Sequence, residues 1–306
     1  MDTFVSQLLR VIPGSETPVR SAMEARQFVA KFGTPVFMKP ARGGGGRGLM
    51  RIDSIEEVEN AFQRCSYEAL KSFGDRSLYV EKFIDHPRVI QIQIMGDHYG
   101  DVIHLYDRDC SIQKGRRKVI EFAPAHNLDP KIRDHLLNDA IKLAKHVKYY
   151  SAGTVEFLVD IYGDYYFMEM NSELEAEHAL TEEMTGLDLV QAQIQIAEGK
   201  RLKNIPHFQQ EKISPIGAAI QCRITAEDPV RNFAPDEDMI ELFRSGGGAG
   251  IRLDSPEAFS GSTIAICYDA ALMKIVARSR THEEAVRKMI RALREFRVRG
   301  IKRILL

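Results

Sequence analysis

The sequence predicts an α+β protein, and three observations carry that reading. Amphipathic stretches of helical period alternate with short β-branched and aromatic stretches. Several strand-like stretches follow one another without a helix between them, and no repeat or low-complexity tract interrupts the pattern. The first helix runs from Ser21 to Lys31, with Ala25, Phe28, Val29 and Phe32 on one face and Gly33 as its stop. A strand over 34–39 leads into the loop Pro40-Ala-Arg-Gly-Gly-Gly-Gly-Arg-Gly48. Ser54 and Glu57 have capping-box spacing and open a second helix, with Val58, Ala61, Phe62 and Cys65 along one side. Strands at 77–84, 89–95, 101–106 and 118–122 come next, followed by a long helix over 129–148. Segments 154–160 and 165–170 form a hairpin about Tyr162-Gly163, and 185–198 is helical. The proline-containing, polar stretch 200–215 marks the expected boundary between a domain at 1–208 and one at 209–306. Beyond it the pattern restarts: a strand at 217–224, a glycine cluster at 245–250, strands near Ile264 and at 272–277, and a helix from His282 to about Arg297.

Composition excludes several classes. With 306 residues, 44% hydrophobic and 28% charged, the chain has the make-up of a soluble globular protein. Its 42 Lys and Arg balance 43 Asp and Glu, which argues against whole-surface attraction to nucleic acid or to an anionic membrane. No apolar run has bilayer length, and the first ten residues lack the features of a secretory signal or transit peptide. Cys65, Cys110, Cys222 and Cys267 are scattered without a C-x-x-C pair, so reduced thiols inside a cell are expected, with cytoplasm and mitochondrial matrix both open.

Five stretches could carry chemistry. If Tyr162-Gly163 is a two-residue loop, Ile161 faces Asp164 and the register sets Glu156 across from Glu169, with Asn171 two residues on along the same face. Two carboxylates and an amide oxygen suit a hard cation such as Mg²⁺; the alternative is that one glutamate faces solvent or pairs with Lys or Arg. The run Gly43-Gly44-Gly45-Gly46, with Lys39 at the preceding strand end, could cradle a polyphosphate or be a plain surface loop; it is neither a Walker A loop nor a G-x-G-x-x-G helix start. Glu81-Lys82-Phe83-Ile84 could hold an adenine or be an ordinary half-exposed strand. Lys114-Gly-Arg-Arg-Lys118 could hold an anion or be solvated, and Glu177 in Asn171-Ser-Glu-Leu-Glu-Ala-Glu-His178 would serve as a general base if its surroundings raised its pKa.

Taken in order, these pieces resemble the biotin carboxylase part of biotin-dependent carboxylases, an ATP-grasp architecture. The matching text is Lys39-Pro-Ala-Arg-Gly-Gly-Gly-Gly-Arg-Gly48, Val80-Glu-Lys-Phe-Ile84, His104-Leu-Tyr-Asp-Arg-Asp-Cys-Ser-Ile-Gln113, Gly153-Thr-Val-Glu-Phe-Leu-Val-Asp160, Phe167-Met-Glu-Met-Asn171, Gln221-Cys-Arg223, Glu227-Asp-Pro229, Gly250-Ile-Arg-Leu-Asp254 and Arg291 to Gly300. The resemblance implies an ATP-grasp domain followed by a biotin carboxylase C-terminal domain, with the family's N-terminal Rossmann-like lobe absent and its closing helices cut short. It implies a ligase that forms carboxybiotin from bicarbonate, ATP, Mg²⁺ (or Mn²⁺) and biotin carried on another domain or chain, and it leaves a homo-oligomer open. By position, Lys39, the glycine loop 43–46, Glu81 to Ile84 and Gln113 would serve the nucleotide. Glu156, Glu169 and Asn171 would bind the metal, Lys118 would sit by bicarbonate, Glu177 would be the base, and Arg252 would stabilise the biotin enolate.

The chain also departs from the family pattern. Where the family reads roughly Asn-x-Arg-x-Gln-Val-Glu-His, this sequence has Glu173 for the arginine, Glu175 for the glutamine and Ala176 for the valine. Arg116 stands at the position of a nucleotide-contacting histidine, and Cys267-Tyr-Asp-Ala-Ala271 is unusual. Negative charge beside an anion site should oppose binding, which opens a second expectation: an inactive relative that keeps nucleotide and Mg²⁺ binding or acts as an interaction module.

Overall fold

In a computed structural model, residues 8–42, 48–114, 117–236, 238–254, 258–263 and 271–302 are described. The chain divides into two units: Met1–Arg88 with Phe157–Glu169, and Val89–Glu156 with Met170–Leu306.

The first unit is a small antiparallel sheet covered by two helices. Helix α1 (Ala22–Phe32) begins where the Ser21 hydroxyl accepts the Glu24 N–H at 3.2 Å, and it ends at Gly33, whose φ of +82° suits glycine. Strands β1 (Val36–Pro40), β2 (Met50–Ile52) and β3 (Leu78–Lys82) pair in the order β2-β1-β3. Helix α2 (Val58–Phe73) follows a short 3₁₀ turn over Ile55–Glu57. Ser54 caps that turn without a side-chain bond to its backbone, so the expected capping box does not form, although the Glu57 carboxylate accepts the Asp53 N–H at 3.2 Å. Val29, Met38, Ile52, Cys65, Leu78 and Val80 are among the buried side chains that join helices and sheet.

The hairpin tip lies in the same unit. The Asp160 N–H donates to Asp164 O at 2.8 Å and the Gly163 N–H to Asp160 O at 3.2 Å, with Gly163 at φ +87°. The turn therefore has one residue more than the sequence reading gave it. Asp160, not Ile161, faces Asp164, because Gly163 takes the left-handed position of a bulged three-residue loop. The loop-length argument that set Glu156 opposite Glu169 falls with that turn.

Most of a large sheet belongs to the second unit, while the parts of β7 and β8 between Phe157 and Glu169 belong to the first. Strands β4 (Arg88–Gly96), β5 (Val102–Lys114), β6 (Arg117–Ala123), β7 (Ser151–Val159), β8 (Tyr165–Asn171), β9 (Ala218–Thr225), β13 (Ile251–Asp254) and β14 (Ala271–Ser279) have the order β13-β14-β9-β6-β5-β4-β7-β8. From β13 through β4 every neighbouring pair is antiparallel. Two short pairs accompany it: β10 (Glu227–Asp228) with β11 (Ala234–Pro235), and β12 (Leu242–Arg244) with β15 (Arg297–Arg299).

Helix α3 (Pro130–His146) has Asp129 as N-cap and a proline in its first turn, where the missing N–H costs nothing. The helix expected over 185–198 is α5 (Leu189–Ala197), opened by Asp188; an unexpected helix, α4 (His178–Thr185), precedes it and ends at Gly186 with φ +73°. Helix α6 (His282–Glu295) packs Ala285, Met289, Ala292 and Leu293 against Ile275 and Ala277 of β14. Among the described residues no helix is long and apolar enough to cross a membrane.

A half-buried histidine, His104, gives the second unit a pH dependence. Burial pushes His104 down to about 4, and its Nδ1 accepts the Tyr106 N–H at 3.4 Å, so the neutral ring is the one that fits. The folded pKa lies below the unfolded value of 6.5, so the unfolded chain takes up the proton first. His104's contribution is complete above pH 6.5 and is lost as the pH falls toward 4. Urea midpoints should drop across that window, and less so in His104→Gln. An equally steep fall in the variant would refute the assignment.

Candidate active site

The second unit gathers its polar side chains on the central strands, and local backbone geometry explains how. Ile112 pairs with Ile120 but Gln113 pairs with Lys118, so Val119 is an extra residue on β6. Strict alternation would put Lys118 and Glu121 on opposite faces; the bulge brings Lys118 to the face of Glu121. Gln91 and Arg108 are direct partners across β4 and β5, and Glu121 and Gln221 across β6 and β9.

Lys118 is the hub. Its Nζ lies 3.2 Å from Glu156 Oε1, 3.1 Å from Glu175 Oε1 and 3.1 Å from Glu177 Oε1. Glu156 Oε1 also accepts from Gln91 Nε2 at 2.5 Å and Asn171 Nδ2 at 3.0 Å. Arg223 spans two more carboxylates, with Nη2 2.5 Å from Glu177 Oε1 and Nε 3.0 Å from Glu121 Oε1. Beneath them Arg108, wholly buried, donates to Gln91 Oε1, Gln93 Oε1, Thr154 Oγ1 and Thr181 Oγ1 at 2.5–3.2 Å. Four glutamates thus share three cations in a nearly dry site, where each unpaired charge would be costly.

The charge states follow. Burial would push the Lys118 ammonium down, but Glu177, Glu156 and Glu175 outweigh it and hold the pKa above the usual lysine value. Burial would raise Glu177, yet Lys118, Arg223 and Arg108 drive it well below the ordinary carboxylate range. The condition on which Glu177 would serve as a base, a raised pKa, is therefore not met in this arrangement. The carboxyl that is raised, to about 7, is Glu121: burial dominates there and Arg223 offsets only part of it. A group poised near neutrality sits one guanidinium away from Glu177.

The other expected residues are distributed as follows. Arg252 lies in the second unit in its own ion cluster, with Nη1 2.7 Å from Glu182 Oε2 and Nε 3.0 Å from Asp254 Oδ1. Lys274 links that cluster to the loop before Glu177, lying 3.6 Å from Asp254 Oδ2 and donating to Ala176 O at 3.1 Å. Glu173 is exposed, and Gln113 is exposed and donates to Cys110 O at 2.9 Å.

In the first unit Lys39 Nζ is 2.5 Å from Glu81 Oε1, an ion contact without the directionality of a hydrogen bond. Lys82 is exposed, Phe83 packs on Phe37 under Arg51, and Ile84 is buried with Ile12 and Tyr166. Glu169, also of this unit, is exposed. Gly43, Gly44, Gly45, Gly46, Arg116 and Cys267 lie outside the described residues.

For a metal, Glu156 and Asn171 are in contact and offer oxygen donors of the kind Mg²⁺ takes. Among the described residues no group of three or more His, Cys, Asp or Glu is set to hold a metal. Sequence reasoning assigned no role to Gln91, Arg108, Glu121 and Arg223. The available signal was charged and amide side chains inside strands that are otherwise apolar.

A deeply buried Lys-Arg-Glu network on an antiparallel sheet accompanies, in this chain, the motif order of an ATP-grasp domain, and two family models match the chain. The family described as carbamoyl-phosphate synthase L chain, ATP binding domain, matches residues 5–205, and that described as biotin carboxylase C-terminal domain matches residues 221–305. The chain belongs to the biotin carboxylase family, which joins these two domains.

Within it, the chain is similar to pyruvate carboxylase 1 of Caenorhabditis elegans, 54% identical over 96% of this chain and 25% of that protein. It is 53% identical to mitochondrial pyruvate carboxylase of Mus musculus over 95% of this chain and 25% of that one. The chain thus spans about a quarter of the length of these relatives.

Among solved structures, the biotin carboxylase domain dimer of Hydrogenobacter thermophilus 2-oxoglutarate carboxylase, in complex with MgADP, ADP and bicarbonate, superposes with a TM-score of 0.93 at 39% identity. It covers 98% of this chain and 65% of that one. Rhizobium etli pyruvate carboxylase gives a TM-score of 0.92 at 40% identity over 98% of this chain and 27% of that one.

Proposed function

We propose that this chain is the MgATP-binding, biotin-carboxylating part of a pyruvate carboxylase-like protein, in which ATP and bicarbonate supply the carboxyl group that biotin accepts. The observation that supports it most is Lys118 held among Glu156, Glu175 and Glu177 with Arg223 behind. An ammonium fixed there is placed to neutralise an anion. Lys39, the glycine loop 43–46, Glu81 to Ile84, Gln113 and Arg116 are the residues offered to the nucleotide. Glu156 and Asn171, with Glu169 by resemblance, are offered to Mg²⁺, which when bound would neutralise phosphate charge. Glu177 would take the proton of bicarbonate once an incoming anion weakens its hold on Lys118, with Glu121 as the neighbouring proton acceptor. Arg252 would leave Glu182 and Asp254 to meet the biotin enolate. Biotin, or a biotinylated domain, is supplied by another domain or chain, and a domain boundary near residue 208 separates the ATP-grasp part from the C-terminal part.

A second reading, a nucleotide-binding relative without turnover, is favoured by Glu173, which puts a carboxylate at the family arginine's position. Bicarbonate- and biotin-dependent ADP release by the purified chain, beside Glu173→Arg, separates the two. Under the first reading the wild type turns over and Glu173→Arg raises the rate about tenfold or more, as expected for a charge reversal beside an anion site. No ADP release from either protein, with MgATP still bound, is the outcome of the second.

A further inference from the structure

The loop between β8 and α4 carries two departures from the family pattern, and they behave differently. Glu173 is exposed, and after burial its charge helps to raise the phenol of Tyr149. Glu175 turns inward, and its side chain is only 13% exposed. One of its oxygens lies 3.1 Å from Lys118 Nζ. The other accepts from Gln91 Nε2 at 3.2 Å and lies 3.9 Å from Arg108 Nη2. A planar carboxylate held at one oxygen by an ammonium and at the other by an amide and a guanidinium matches bound bicarbonate in charge and shape.

We infer that Glu175 is an internal oxyanion that occupies the bicarbonate place on Lys118 and competes with bicarbonate for it. The inference rests on the biotin carboxylase reading, which puts bicarbonate beside Lys118. Its physical basis is separate: Lys118 already faces three carboxylates, and Glu175 is the one the family pattern lacks. Glutamine at that position keeps the size and an acceptor oxygen while removing the charge. Lys118, Arg108 and Arg223 then face three carboxylates, Glu121, Glu156 and Glu177, in place of four, and the site opposes an anion less. Glu156 and Glu177 are held more closely: beyond Lys118, Glu156 accepts from Gln91 at 2.5 Å and Asn171 at 3.0 Å and Glu177 from Arg223 at 2.5 Å, whereas Glu175 has Gln91 at 3.2 Å and Arg108 at 3.9 Å.

The test is binding of ¹³C-labelled bicarbonate, followed by NMR line broadening on the whole chain with and without MgADP, for wild type, Glu175→Gln and Glu175→Ala. Calorimetry with MgADP is read separately. Glu175→Gln is expected to bind bicarbonate at least about tenfold tighter than wild type, with MgADP affinity changed less than about twofold. Equal bicarbonate affinity in wild type and both variants overturns the inference, as does tighter binding by the wild type. Failure of both variants to fold also overturns it, by making Glu175 a structural member of the core. Loss of MgADP binding in every protein strikes the functional reading, while the bicarbonate comparison on nucleotide-free protein still decides the role of Glu175.

Discussion

Lys118→Met is expected to lower folding stability by about 3–5 kcal/mol, the cost of removing one partner from a buried ion network. The reason is the count of charges it leaves. Glu156, Glu175 and Glu177 each lie within 3.2 Å of its Nζ, and the side chains of Glu156 and Glu177 are only 4% and 2% exposed. Without the ammonium, Gln91 and Asn171 still donate to Glu156, and Arg223 to Glu177, but the three carboxylates repel one another in a medium that screens poorly. Urea denaturation at neutral pH checks the magnitude. Adding Glu175→Gln to Lys118→Met should restore part of the loss, because one of the stranded charges goes with it. A loss below about 1 kcal/mol in the single variant would mean that the cluster is wet and its ion pairs are weak.

Arg108→Met should be comparably severe, again about 3–5 kcal/mol, by a different route. Arg108 is wholly buried, and its guanidinium reaches two glutamine oxygens and two threonine hydroxyls on three separate segments. Methionine fills much of the volume but leaves Gln91 Oε1 and Gln93 Oε1 without that donor, each a buried acceptor worth about 1–3 kcal/mol. It also removes one of the cations that hold Glu177 ionised. Arg108→Lys should recover only a minor share, since an ammonium cannot reproduce the planar fork that spans four acceptors. Thermal melts of the two variants beside wild type check the order, and a lysine variant as stable as wild type would contradict the role of the fork.

How legible these features were in the sequence depends on the range of the interactions that fix them. The helices at Ala22–Phe32 and Pro130–His146 and most strands of the two larger sheets follow from local periodicity and end signals, and the structure has them within a few residues, whereas β2 and β13 were not expected. Strand β5 runs on to Lys114, well past the expected end at 106, because Asp107-Arg-Asp109 looks like a polar break until its partners are known. Arg133 holds Asp107, and Gln91 and Gln93 hold Arg108. Helix α4 was hidden inside an acidic stretch whose buried face is the short set Ala179, Leu180, Thr181 and Met184.

For the site, Lys118, Glu156, Asn171 and Glu177 could be named from motifs and do converge. The Glu121 pairs with Gln221 and Arg223 join residues about a hundred positions apart, which no local pattern reveals. The hairpin register was misjudged by one residue because a left-handed Gly163 adds a bulge that the dipeptide alone does not announce.

The claim on which the rest depends is that this chain holds nucleotide through magnesium at a biotin carboxylase site. Calorimetric titration of the purified chain with ATP, in the presence and absence of Mg²⁺, tests it most directly. One nucleotide per chain, with heat that requires the metal and shrinks in Glu156→Gln, is the expected result; no saturable heat with Mg²⁺ present would contradict it.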